Sequence, residues 1–125
     1  MRTVVIVEDN KDYRENLAER LQMEAYHTIE AENGRIGLEM ISAHVPDLIL
    51  CDIDMPIMTG VEMLVLLKQN SKFSGIPFIF ITAYTDELTR KHVKGLGADL
   101  YLAKTVSMGD LITLIRDLLN AQTVQ

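Results

Sequence analysis

Apolar residues in this chain of 125 residues form five short runs, and segments with helical spacing follow each of them. The first, third and fourth runs are apolar without alternation, as is typical of strands covered on both faces. We predict strands near residues 3–7, 27–32, 47–51, 77–81 and 99–103, and helices near residues 12–24, 34–44, 59–70, 86–94 and 108–120. This alternation of strand and helix predicts a parallel sheet packed between helices.

The predicted helices differ in how much apolar surface they offer to the sheet. The fifth begins after Ser107, which can cap it, and Asp110 stands three positions later as in a capping box. The fourth has few apolar anchors beyond Leu88 and Val93. Because a helix that buries little is easily moved, we expect mobility in the fourth helix.

Polar side chains follow four of the five runs, at the point where each predicted strand ends. Glu8 and Asp9 follow the first run and Asp52 follows the third. Thr82 and Lys104 end the fourth and fifth runs. Because parallel strands exit at one edge of a sheet, these groups are predicted to gather on one rim. Open α/β sheets bind their ligands at that rim, where the strand order reverses.

These residue types suit metal-assisted phosphate chemistry. The carboxylates of Glu8, Asp9 and Asp52 repel one another, and one lysine offsets only part of their charge, so a divalent cation is favoured. Oxygen ligands suit Mg²⁺ or Mn²⁺ better than zinc. Phosphoryl transfer needs positioning and charge neutralisation, which the cation, Lys104 and Thr82 can supply. Asp52 is then free to act as the nucleophile and form an aspartyl phosphate.

Composition limits the partners, the cellular compartment and the number of domains that we expect for this chain. The net charge of −6 argues against nucleic-acid binding by this domain and suits a cation or a basic surface on a partner. No stretch approaches the roughly 20 apolar residues of a membrane span, and a signal peptide is not expected. Cys51 is the only cysteine, which excludes a disulfide framework and favours a reducing cytoplasm. The length fits one domain over 1–125, with 121–125 as a loose tail or the start of a linker.

Four motifs occupy these strand ends in a fixed order along the chain. They are Glu8-Asp9, Asp52-Ile53-Asp54-Met55-Pro56 with Gly60 four residues past the proline, Thr82-Ala83, and Tyr101-Leu102-Ala103-Lys104. Together they resemble the receiver domain of response regulators in bacterial two-component signalling, from Thr3 to about Asn120. The resemblance implies a flavodoxin-like, three-layer doubly wound sandwich whose five-stranded parallel sheet has the order 2-1-3-4-5, with five helices.

The resemblance also implies a phosphoacceptor and a metal site. Asp52 would accept a phosphoryl group from a histidine of a sensor histidine kinase or of a histidine phosphotransfer protein. Asp9 and Asp52 would bind Mg²⁺ by their side chains, Asp54 by its backbone carbonyl and Glu8 through water. The domain would catalyse only its own phosphorylation and dephosphorylation, and is not expected to be an enzyme toward other substrates.

The resemblance further implies a switch. Lys104 would pair with Asp52 and then with a phosphoryl oxygen. Thr82 would swing toward the phosphoryl group and Tyr101 would turn inward behind it. The surface formed by helix four, strand five and helix five would carry the change to a downstream effector, which the sequence does not identify.

Two departures from the family pattern carry expectations of their own. Thr105 and Val106 follow Lys104 where the family usually has Pro and Phe, and its Lys–Pro bond is typically cis. A cis bond before Thr105 would cost roughly 2.5–4 kcal/mol, against about 0.5–1 kcal/mol before proline. We therefore expect either a trans bond with a shifted lysine or a strained cis bond. Tyr84, two residues past Thr82, is expected to screen the phosphoryl group from water and to slow hydrolysis.

Two other functions remain open from the sequence. Asp52-Ile53-Asp54 is an Asp-x-Asp after an apolar strand, as in phosphatases of the haloacid dehalogenase type, although no suitable later acidic pair follows. A pseudo-receiver that binds partners without phosphorylation is supported only by Thr105. The sequence also leaves open the cognate kinase, dimerisation on phosphorylation, and whether the chain stands alone or is part of a longer regulator.

Overall fold

The computed structural model describes residues 1–83 and 85–123, and strands alternate with helices throughout. The strands are β1 (Thr3–Val7), β2 (His27–Ala31), β3 (Leu48–Cys51), β4 (Phe78–Thr82) and β5 (Leu100–Ala103). The helices are α1 (Lys11–Met23), α2 (Gly34–His44), α3 (Gly60–Lys68), α4 (Glu87–Gly95) and α5 (Met108–Thr123). None of the helices within the described residues is long and apolar enough to cross a membrane.

The sheet confirms the predicted topology. Its strand order is β2-β1-β3-β4-β5, and every neighbouring pair is parallel. The order reverses between β1 and β3, because the chain moves from β1 to β2 on one side and then crosses to β3 on the other. The crevice at that reversal lies beyond the carboxyl ends of β1 and β3.

The three central strands are buried on both faces, which explains their continuous apolar runs. Alternate residues of each strand join opposite core clusters, since successive side chains of a strand point to opposite faces. On β1, Val5 and Val7 pack in the cluster that contains the buried residues of α3 and α4, whereas Val4 and Ile6 pack against α1 and α5. The two clusters hold the strand ends at fixed positions relative to one another.

Helix boundaries follow local signals more closely than the apolar pattern alone suggested. At the start of α3, the Glu62 N–H donates to Thr59 Oγ1 at 3.2 Å and the Thr59 N–H donates to Glu62 Oε1 at 3.1 Å. This capping box was not predicted. The predicted cap of α5 is present, because the Asp110 N–H donates to Ser107 Oγ at 3.1 Å.

The chain end corrects one expectation. The sequence placed the end of the fifth helix near residue 120 and a loose tail at 121–125, but α5 continues to Thr123. Ala121 and Gln122 are good helix formers and no glycine or proline interrupts them, so the helix extends by three residues. Val124 and Gln125 lie outside the described residues.

Candidate functional site

The ends of β1 and β3 bring three carboxylates together at the reversal of strand order. Carboxylate oxygens of Glu8, Asp9 and Asp52 all lie within 4.8 Å of one another. Glu8 and Asp52 are only 2% and 7% exposed, whereas Asp9 is exposed. Thr82 is fully buried at the end of the neighbouring strand β4. The predicted acidic rim is therefore present, with one carboxylate open to solvent.

Asp52 is held on a rigid platform. Its backbone N–H donates to the Val7 carbonyl at 3.0 Å, which extends the pairing of β1 with β3. Its Oδ1 accepts the Ile53 N–H at 2.7 Å and its Oδ2 accepts from Lys104 Nζ at 3.1 Å. Close packing requires a glycine at position 60, because a Cβ there would lie 2.1 Å from the Asp52 carbonyl oxygen. Both carboxylate oxygens of Asp52 thus have defined partners.

Lys104 reaches the acidic cluster without the proline that usually follows it. No cis peptide bond occurs among the described residues, so the bond before Thr105 is trans. Even so, Lys104 Nζ lies 3.1 Å from Asp52 Oδ2 and 2.7 Å from Glu8 Oε1. The sequence had linked a trans bond to a shifted lysine, and that expectation is wrong. The backbone of Lys104 continues β5, with the Lys104 N–H donating to the Thr82 carbonyl at 2.9 Å, so the side chain starts at the same edge of the sheet as the acidic cluster.

Glu8 is engaged at three points that the sequence did not reveal. Besides its pair with Lys104, its Oε2 accepts the Asn10 N–H at 3.0 Å. Its backbone carbonyl accepts from Arg14 Nη1 at 2.8 Å, and the same guanidinium donates from Nε to Glu30 Oε1 at 3.0 Å. Arg14 therefore ties the start of α1 and the end of β2 to the acidic rim.

Glu8 and Lys104 form the shorter of the two ion pairs at the site. The pKa of each is raised, but for different physical reasons. Burial raises the pKa of Glu8, and repulsion from Asp52 adds to the rise, while the hydrogen bonds from Lys104 and the Asn10 N–H only partly oppose it. Burial acts to lower the pKa of Lys104, but its hydrogen bonds to Glu8 and Asp52 outweigh burial and raise it. Three carboxylates in the cluster face one lysine, and this excess of acidic groups favours a cation.

The donor set fits a hard divalent cation. All three clustered side chains offer oxygens and none offers nitrogen or sulfur, which suits Mg²⁺ or Mn²⁺. Asp54 is exposed in the loop between β3 and α3. In that loop the Met58 N–H donates to the Pro56 carbonyl at 2.7 Å around Ile57, whose φ is 71°. A β-branched residue rarely adopts a positive φ, so this loop beside the cluster is strained.

The expected switch residues lie on two adjacent strands. Thr82 ends β4, and Tyr101 lies on β5 with only 4% of its surface exposed. Arg90 of α4 covers Tyr101, with its Cζ 5.7 Å from the ring centroid. The inward turn expected for Tyr101 stays a prediction. Tyr84, which was expected to slow hydrolysis, lies outside the described residues.

Tyr13 is a site residue that the sequence reasoning did not identify. Its ring centroid lies 4.9 Å from Lys104 Nζ, and its buried hydroxyl has no hydrogen-bond partner within the described residues. A signal was available, because Tyr13 precedes Leu17 by one helical turn on the same face and α1 begins at the acidic rim. The first inward-facing residue of such a helix must lie close to the rim.

Comparison with known sequences gives a consistent result. A family model described as the response regulator receiver domain matches residues 4–116. The polar-differentiation response regulator DivK of Brucella anthropi is 31% identical over 118 residues, which cover 94% of this chain and 96% of DivK. Histidine kinase P4 of Formosa agariphila is 32% identical over 117 residues, which cover 94% of this chain and 8% of that kinase.

Solved structures share the same architecture. The CheY-like response regulator receiver domain protein of Methanospirillum hungatei superimposes with a TM-score of 0.92 at 28% identity, covering 98% of this chain and 97% of that one. Chemotaxis protein CheY4 of Vibrio cholerae gives a TM-score of 0.88 at 26% identity, covering 94% of this chain and 98% of that one.

Proposed function

The chain belongs to the response regulator receiver domain family, and we propose that it takes a phosphoryl group onto Asp52 from a phosphohistidine. The donor would be a sensor histidine kinase or a histidine phosphotransfer protein in the cytoplasm. One observation carries the proposal: Lys104 Nζ lies 3.1 Å from Asp52 Oδ2 although the lysine is followed by threonine. This contact supports a working acceptor site over a pseudo-receiver, whose only support was Thr105.

The proposed transfer forms one bond and breaks one bond. A carboxylate oxygen of Asp52 attacks phosphorus, a P–O bond forms, and the P–N bond to the donor imidazole breaks. The imidazole leaves with the electron pair of the broken bond. Asp52 then carries an acyl phosphate, and Lys104 exchanges its contact with Asp52 for one with a phosphoryl oxygen. Thr82, buried beside this position, can donate its hydroxyl to another such oxygen.

We propose that Asp9 and Asp52 hold a Mg²⁺ or Mn²⁺ ion by their side chains, together with the Asp54 backbone carbonyl. The ion would neutralise charge on the phosphoryl oxygens. Glu8 would bind the ion through a water molecule. Its ion pair with Lys104 keeps its carboxylate beside the other two acidic groups. Charge surplus in the cluster supports this assignment, since Glu8, Asp9 and Asp52 face one lysine.

The output of the proposed switch would be the surface of α4, β5 and α5. α4 buries only Val93, so a small change at Thr82 and Tyr101 is enough to move it. An effector, or a second phosphorylated copy of the chain, would recognise that surface. The domain would have no activity beyond its own phosphorylation and dephosphorylation.

Intact mass spectrometry after incubation with acetyl phosphate and Mg²⁺ tests the proposal. We expect the wild type to gain one phosphoryl group that is lost on treatment with hydroxylamine, as an acyl phosphate should be. Asp52→Asn should gain none, and Asp117→Asn, which changes an exposed aspartate on α5, should behave like the wild type. Chelation of Mg²⁺ by EDTA should abolish the gain of phosphoryl mass by the wild type.

Other outcomes would identify the rival functions. If no variant ever gains phosphoryl mass from acetyl phosphate or from phosphorylated kinases, the chain is a pseudo-receiver and the proposal is wrong. Multiple turnover on p-nitrophenyl phosphate would instead indicate a phosphatase of the Asp-x-Asp type.

A further inference from the structure

The proposed reaction gives no role to Tyr13, although its ring lies at this rim. Its backbone is fixed in the first turn of α1, because the Tyr13 N–H donates to Asn10 Oδ1 at 3.0 Å. Its ring packs at the edge of the core cluster beneath α1 and α5. Lys104 Nζ lies 4.9 Å from the ring centroid, within the roughly 6 Å over which an aromatic face attracts an ammonium ion.

The backbone around Lys104 does not fix the position of its ammonium group. A lysine ammonium sits on a flexible four-carbon stem, so its position depends on what its tip contacts. The trans bond before Thr105 places no special restriction on that stem. Glu8 and Asp52 hold the tip from the ends of β1 and β3, and the contact with Asp52 must be given up when a phosphoryl group arrives. The contact with the Tyr13 ring does not compete with that exchange.

The ring of Tyr13, and not its hydroxyl, makes this contact. The hydroxyl is buried and has no hydrogen-bond partner within the described part of the chain. A buried hydroxyl without a partner is unfavourable for the folded state, so phenylalanine should serve at least as well at this position. Leucine keeps an apolar side chain there but has no aromatic face.

We propose that Tyr13 is a positioning residue that aims Lys104 at Asp52 through the face of its ring, in place of the proline that is absent after the lysine. The inference rests on the proposed function, because the aim of Lys104 matters only if it meets a phosphoryl oxygen. The position of Lys104 relative to the ring can nevertheless be measured without any phosphorylation.

The experiment compares Tyr13→Phe, Tyr13→Leu and a matched control, Tyr26→Leu, which changes another tyrosine packed against the same core cluster. We measure the rate of phosphorylation by acetyl phosphate with saturating Mg²⁺, so that partner docking plays no part. We expect Tyr13→Leu to be about fivefold to tenfold slower, and the other two variants to match the wild type. In ¹³C NMR spectra, the ε-methylene of Lys104 should show a ring-current shift in the wild type and Tyr13→Phe, and lose it in Tyr13→Leu.

Each departure from this pattern has a defined meaning. An unchanged rate in Tyr13→Leu, or a slower rate with the Lys104 shift intact, overturns the inference. If Tyr13→Leu does not fold, phenylalanines with increasing numbers of ring fluorines replace it, since fluorine weakens the ring face with little change in size. A rate that falls with each fluorine supports the inference, and a constant rate overturns it. A wild type that is never phosphorylated but shows the shift contradicts the proposed function alone.

Discussion

α1 and α4 both begin close to the site, yet they are attached to the sheet in different ways. α1 buries Leu17, Ala18 and Leu21, whereas α4 buries only Val93 and leaves Leu88 82% exposed. The first turn of α1 also contacts the cluster directly, through Tyr13 and Arg14. From α4, the Arg90 guanidinium lies over the ring of Tyr101 on β5.

The contrast separates a fixed part of the site from a movable one. Groups that must keep their geometry are carried by β1, β3 and α1, where burial is extensive. The element proposed to transmit the signal has little apolar surface to hold it, so its position can change at small cost in free energy. The sequence showed this distribution in part: it predicted few apolar anchors in helix four, but Leu88, which it counted as an anchor, is exposed.

The largest expected effect comes from matched leucine truncations in the two helices. Leu17→Ala should lower the free energy of unfolding by about 2–5 kcal/mol, because it leaves a cavity beneath α1. Leu88→Ala should change it by less than about 0.5 kcal/mol, because this side chain is solvent-exposed. Urea unfolding followed by circular dichroism measures both values. Similar losses in the two variants would contradict the contrast.

Native-state hydrogen exchange should show the difference in local stability between α1 and α4 without any mutation. We expect amides in the middle of α4 to exchange at least about tenfold faster than those of α1, once corrected for intrinsic rates, which is a difference of about 1.4 kcal/mol in opening free energy. The exchange is read residue by residue by NMR. Equal protection in the two helices would mean that α4 is as firmly held as α1.

Loss of the cap of α1 should have a smaller effect. Asn10→Ala removes the acceptor for the Tyr13 N–H and should lower the free energy of unfolding by about 1 kcal/mol. Asn10→Ser is the matched control, since serine also caps helices and should recover most of the loss. Thermal unfolding of the three proteins checks the order. If serine is no better than alanine, the cap is not what holds this turn.

The smallest expected effect is a pH response at the start of α4. Hydrogen bonds from the Thr89 hydroxyl and the Thr89 N–H lower the pKa of Asp86, the N-cap of α4, below its usual value of 3.8. A lowered pKa means that the ionised cap stabilises α4 above pH 3.8 and that this contribution is lost as the pH falls through the lowered value. The Thr89 amide shift should therefore move below pH 3.8.

Asp86→Asn is the control for that titration, because asparagine caps a helix without an ionisable group. Its Thr89 amide should show no transition in the same range. A transition that persists in this variant would assign the pH response to another group.

Most of the fold followed from local patterns in the chain. Continuous apolar runs identified β1, β3 and β4, because a strand buried on both faces has no polar side. The order of the strands came from the family resemblance and is confirmed. The end of α5 was misplaced because no residue in the sequence marks it. The capping box of α3 was overlooked although Thr59 and Glu62 carry its pattern.

The candidate site was only partly predictable. Strand ends predicted that Glu8, Asp9 and Asp52 would meet, since parallel strands exit at one edge. The contact of Lys104 with Glu8, shorter than its contact with Asp52, was not predicted, because lysine position depends on the whole path of its side chain. The position of the Tyr13 ring beside the lysine was not predicted either.

The sequence by itself determined which elements form and which chemical groups end each strand, because both depend on the order of residues along the chain. Only the tertiary structure decided the distances among those groups. Lys104 and Asp52 are 52 positions apart in the sequence, and their contact at 3.1 Å depends on the packing of two core clusters against one sheet. The ring of Tyr13 beside the lysine is a consequence of that packing, which no short segment encodes.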